Sequence, residues 1–192
     1  MSLLNFVLCR RPHDLFQQPP KVTKLEPPEE PCRLISPAQL EFTDWEQEDI
    51  QRLWPLFSTP RTVKRFVNTY RLMRAGLESA EETEQFEGKK EKPGEYQVAL
   101  LLLAVVTSAT REAMTFLSRL DEPFDEPGAS DKPLQWEDVF ATIKEPIVDE
   151  AWEEFIDNLE HVTQEGFERG VARSELERWT NCVARYSFSV RV

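Results

Sequence analysis

Three cysteines, two histidines and six glycines are few for a chain of 192 residues, and each scarcity closes a route. Cys9, Cys32 and Cys182 are widely spaced and odd in number, which is neither a disulfide framework nor a zinc spacing; reduced thiols are expected. His13 and His161 stand alone, without metal-ligand company. Gly76, Gly88, Gly94, Gly128, Gly166 and Gly170 nowhere form G-x-x-x-x-G-K-[ST], the loop whose backbone N–H groups cradle phosphates. Gly88-Lys89-Lys90 lacks both the upstream glycine and the hydroxyl. The apolar run Val98 to Val106 is too short to cross a bilayer, which takes about 20 residues. Leu3 to Leu8 is followed, not preceded, by Arg10 and Arg11, the reverse of a secretory leader, so a cytoplasmic location without membrane contact is expected. Basic charge is also short. Lys and Arg number 23 against 35 Asp and Glu, and a net charge of -12 argues against general nucleic-acid binding.

What remains reads as helices. Prolines crowd the stretch from Pro12 to Pro31, so residues 1–33 are expected to form an extended arm and residues 34–192 a helical domain. Ser36-Pro37 resembles an N-cap and first helical residue, leading through Leu40 and Phe42. A further piece takes Trp45, Ile50, Leu53 and Trp54, with both tryptophans expected as core anchors, before Pro55. Glu78 to Pro93 is polar and reads as solvated surface, extending the preceding helix briefly before looping near Gly88.

Tyr96 to Leu120 predicts a central buried helix with a break near Thr107 to Thr110, whose hydroxyls have no base beside them. After a turn-rich stretch, Leu134 to Lys144 predicts a short helix with Trp136, Val139, Phe140 and Ile143 on one side. Pro146 is expected to open the next, with Trp152, Phe155, Ile156 and Leu159 inward. Its Asp149, Glu150, Glu153, Glu154, Asp157 and Glu160 face water. Ser174 and Glu177 have capping-box spacing for a last helix carrying Leu176, Trp179 and Val183. With no heptad seam or long repeat, the expected fold is all-α: an irregular bundle of about five to seven helices with a Pro-rich N-terminal arm.

One segment stands out on so acidic a chain. Thr59 is a good N-cap, Pro60 suits the first helical position and Gly76 a stop. Between them Val63, Phe66, Val67, Tyr70, Met73 and Leu77 recur at steps of three and four, describing a buried face. Arg61, Lys64, Arg65, Asn68 and Arg71 follow the same steps on the other face, and no acid interrupts Pro60 to Leu77. Arg71 and Arg74 also sit where cations favour a helix C-terminus. Such a basic stripe is either a solvated face or one that meets an anion, since arginine's planar fork matches phosphate oxygens.

The Thr59-Pro60-Arg61, Lys64-Arg65-Phe66-Val67-Asn68 and Tyr70-Arg71-Leu72 pattern resembles the helical lid segment of KAP-family P-loop NTPases. These are large bacterial ATPases related to the AAA+ and STAND groups, some linked to phage exclusion. Ser36 to Phe42 resembles the preceding helix of the family, and Glu95 to Ala104 its following apolar helix; the likeness covers roughly Leu34 to Leu120. It implies that the arginine opening the Pro-Arg helix approaches a γ-phosphate, a role that would fall to Arg61, or else Arg65, with Lys64 beside them. The chain departs from the family in having no P-loop and no apolar strand ending in paired acids.

Two functions follow as expectations. The first is a nucleotide-sensing lid that is not catalytic alone, with ATP and Mg²⁺ supplied only through a partnering P-loop NTPase domain. The second is a helical adaptor docking a partner protein through its basic stripe or acidic helix. A nucleic-acid mimic is disfavoured because basic and acidic charges lie on different helices.

Overall fold

The computed structural model describes residues 40–121, 133–146, 149–164, 166–167 and 169–186. The expected Pro-rich arm, the Ser36-Pro37 cap, Cys9, Cys32, His13 and the C-terminal tail lie outside the described residues.

Eight α-helices and one minimal hairpin make up the described fold, an all-α bundle. Helix α1 (Asp44–Arg52) begins at a capping box: the Thr43 hydroxyl accepts from Glu46 N at 3.3 Å, and Glu46 Oε2 accepts from Thr43 N at 2.8 Å. A 3₁₀ turn (Trp54–Leu56) carries the chain into α2 (Pro60–Ala75), which starts and stops where Thr59, Pro60 and Gly76 direct. Phe66, Tyr70 and Met73 are buried, and Val63, Val67 and Leu77 half-buried, as their periodicity requires.

The polar run after α2 is more structured than expected. Ser79 and Glu82 form a capping box that opens a separate helix, α3 (Ala80–Glu87), and Phe86 on it is fully buried. A tight hairpin, β1 (Gly88–Lys89) and β2 (Lys92–Pro93), then reverses the chain. Gly88 has φ 61°, and a Cβ on Gly94 would lie 2.1 Å from the Phe86 carbonyl oxygen, so both positions need glycine.

Helix α4 (Tyr96–Ser108) is the hub, buried from Tyr96 through Thr107. An apolar helix without a polar face must be enclosed by others. α4 packs against α1, α2, α5 (Thr110–Asp121) and α8 (Arg173–Ala184). The expected break falls at Ala109, between α4 and α5.

Helices α6 (Trp136–Lys144) and α7 (Glu150–Gln164) pair beyond α5. Their Trp136, Val139, Phe140, Ile143, Trp152, Phe155, Ile156 and Leu159 point inward, and α7 turns its acids out. A single bridge, Leu134 with Val171, ties the segment before α6 to that before α8. No helix among the described residues is long and apolar enough to cross a membrane.

Two expectations are corrected. Trp54 is 58 % exposed, because α1 ends at Arg52 and the 3₁₀ turn breaks helical phase, leaving Leu53 to fill the core. Helix α8 begins one residue before Ser174, and it is Glu175 Oε2, not a serine cap, that accepts from the Ala172 N–H at 3.4 Å.

The unequal burial of two leucines gives a first test. Leu101→Ala, in the enclosed helix, should cost about 2–5 kcal/mol of unfolding free energy, whereas Leu72→Ala, 58 % exposed on α2, should change it by less than about 0.5 kcal/mol. Urea denaturation of the two variants checks this.

Candidate functional site

The outer face of α2 holds the residues singled out from sequence. Arg61, Lys64, Arg65, Asn68 and Arg71 are all exposed. Among the described residues, Arg61, Lys64 and Arg71 make no ion pair. Arg71 instead lies over the Phe42 ring, 5.1 Å from its centroid, and Leu72 stands exposed beside it.

At the N-terminal end of α2 an apolar cleft of about 320 Å³ opens between Trp54, Phe57, Ser58, Thr59, Pro60 and Val63. The Thr59 hydroxyl accepts from Thr62 N at 3.2 Å and holds this corner. Arg61 follows directly on Pro60, so a guanidinium, the first-turn amides and an exposed indole share one end of the helix.

Behind this face lies a buried cluster of charge. Arg74 is only 4 % exposed; instead of capping the end of α2 toward solvent, its guanidinium forks between Glu46 of α1 and Glu87 of α3. Glu46 is fully buried and also accepts from the Tyr70 hydroxyl. One arginine thereby fixes three helices.

A second polar cluster surrounds the start of α4. Asp49, 2 % exposed, accepts from the Tyr96 hydroxyl at 2.7 Å and Gln97 Nε2 at 2.8 Å, and pairs with Arg52. Glu95, 3 % exposed at the start of α4, accepts from Trp179 Nε1 at 2.8 Å and pairs with Arg178 of α8 at 2.6 Å.

Burial and the neighbouring Glu46 carboxylate push the Tyr70 hydroxyl well above its ordinary value, and burial with the Asp49 hydrogen bond does the same for Tyr96. Burial also raises the Cys182 thiol, leaving it a poor nucleophile. No group of three or more His, Cys, Asp or Glu among the described residues is placed to hold a metal.

Sequence did contain a signal for the buried cluster. Glu46, Asp49, Ile50 and Leu53 share one helical face, so two acids continue an apolar stripe, and Arg74 continues Phe66 and Tyr70 at steps of four. Comparison with protein-family models, curated proteins and solved structures finds no match to this chain.

Two outcomes follow from the buried charges. Arg74→Met should destabilise by about 3–5 kcal/mol, since Glu46 would be left ionised and buried without its cation; Glu46→Gln in the same background should recover part of the loss in chemical denaturation. The tyrosines give a pH dependence. Each is held neutral in the fold but ionises near 10 when unfolded, so stability is intact below pH 10 and falls above it. The slope approaches on the order of 1 kcal/mol per pH unit for each tyrosine. A denaturation midpoint that stays constant from pH 9 to pH 11 (both values approximate) would contradict this.

Proposed function

We propose that this chain is the nucleotide-sensing helical lid of a KAP-type P-loop NTPase, acting on nucleotide held by a separate P-loop domain rather than catalysing alone. The observation that carries the reading is the exposed basic face of α2, whose Arg61, Lys64 and Arg71 make no ion pair among the described residues of a chain of net charge -12. Arg61 is the sensor in this reading. Its donors lie at the positive end of a 16-residue helix, where developing phosphate charge is stabilised by fork and dipole together. Lys64 and Arg65 lie one turn further along the same face. The exposed Trp54 and its apolar cleft supply the adjoining contact with the P-loop domain.

The α2–α1–α3 tie through Arg74 gives transduction a physical route: a pull on Arg61 moves a helix rigidly joined to two others. The exposed tryptophan also favours a second reading, a helical adaptor that docks a partner protein through Trp54 and the basic face with no nucleotide involved.

ATP turnover by the chain together with a P-loop domain encoded in or beside its reading frame separates the two. Arg61→Ala should lower kcat by about a hundredfold or more, with a smaller change in KM, because the contact strengthens in the transition state. Equal turnover with and without Arg61 overturns the sensor role. A stable complex that is lost in Trp54→Ala and indifferent to nucleotide establishes the adaptor.

A further inference from the structure

On a different part of the molecule from the basic face of α2, a cleft of about 560 Å³ opens between α1, the β1–β2 hairpin, the start of α4 and the segment following α7. Its volume falls within the range of small-molecule sites. Three features of its wall point to an occupant.

The first is an orphan acceptor. Gln97 lines the cleft and is 2 % exposed, and its Oε1 has no hydrogen-bond partner. The amide cannot be reversed to cure this: Nε2 donates to Asp49 Oδ2 at 2.8 Å and to the Gly166 carbonyl oxygen at 2.9 Å, both acceptors. A buried acceptor of this kind costs about 1–3 kcal/mol unless an N–H or O–H reaches it.

The second is Arg52. Its guanidinium is anchored by one nitrogen on Asp49 and packs on Gly166, where a Cβ would come within 2.7 Å of Nη1; the side chain is still 36 % exposed. The remaining N–H donors of the fork are uncommitted among the described residues, and the fork is held in place for a carboxylate.

The third is charge of both signs. Lys90 and Lys92 line the cleft from the hairpin, and Glu48 and Glu91 line it too, yet none of the four is ion-paired among the described residues. A simple anion would be opposed by the acids and a simple cation by Arg52.

We infer that this cleft binds a small zwitterion of the amino-acid class, its carboxylate on Arg52 and its ammonium or amide N–H toward Gln97 and the acidic rim. The site is independent of the lid reading and stands or falls without it.

The twenty free amino acids, added singly at millimolar concentration to the whole chain, are the probes, read by thermal shift and then by NMR titration. At least one should bind saturably, at least about tenfold more weakly to Arg52→Gln, and more weakly still once its carboxylate is amidated or its ammonium acetylated. Glu153→Gln, exposed on α7 and not part of the cleft wall, should leave the affinity unchanged. If Arg52→Gln does not melt cooperatively, the Lys90→Ala/Lys92→Ala double variant on the exposed hairpin replaces it, with weakened binding again expected. The proposal is overturned by the absence of saturable binding across the panel, by undiminished affinity in the folded variant, or by equal binding of the amidated and acetylated forms.

Discussion

A helix with no polar side has to be surrounded, and α4 imposes that condition on the whole chain. Twelve consecutive residues from Tyr96 to Thr107 are buried, so α1, α2, α5 and α8 are held in place by the apolar surface they cover on it. This one demand explains why the chain folds as an irregular bundle instead of a regular four-helix array: neighbours approach α4 from all sides, not along two seams. Phe66, Phe86, Phe116 and Val183, from four other helices, are each fully buried.

The same enclosure buries polar side chains at the start of α4, where they bond to one another and to α8. Glu95, Asp49 and Gln97 bring hydrogen-bonding groups to that end, and Trp179 and Tyr96 meet them with an indole N–H and a phenol. Glu46 and Arg74 perform a related task between α1, α2 and α3. Such buried pairs contribute little net stability against an apolar replacement, because desolvation offsets most of the attraction. What they supply is a single permitted register: Arg74 satisfies Glu46 and Glu87 together only if three helices meet at one height.

Local chemistry made much of this legible in advance. The limits of α2 follow from Thr59, Pro60 and Gly76, and the inward residues of α6 and α7 follow from spacing alone, since capping and periodicity act within a turn or two. The exposed basic face was legible for the same reason. Interactions joining distant segments were not. Spacing within α2 puts Arg74 on the face of Phe66 and Tyr70, but it does not name the partners, Glu46 and Glu87, which lie 28 and 13 residues away. Trp54 shows the converse error: its size argued for burial, but one residue of lost helical phase placed Leu53 in the core and Trp54 outside. The separate helix α3 was hidden by composition, as its only buried hydrophobic side chain, Phe86, sits among acids.

The distribution of charge is the feature that packing does not require. Carboxylates outnumber cations by twelve, and α3 follows α2 directly, with Glu81, Glu82 and Glu84 exposed. None of the three pairs with Arg61, Lys64 or Arg71; the acid of α3 that does reach α2 is Glu87, and it goes inward to Arg74. Asp149, just before α7, and Asp157 on it likewise pair with Arg111 and Lys144, not with α2. Exposed ion pairs contribute too little to force such a pairing, so its absence costs the fold almost nothing. Apart from the stacking of Arg71 on Phe42, the basic face adds little to folding for the same reason. Stability alone therefore gives no reason for three cations on one side of α2 that make no ion pair among the described residues of an acidic protein. Recognition of an anion does, because a face already neutralised from within would have to break its own pairs before binding anything else.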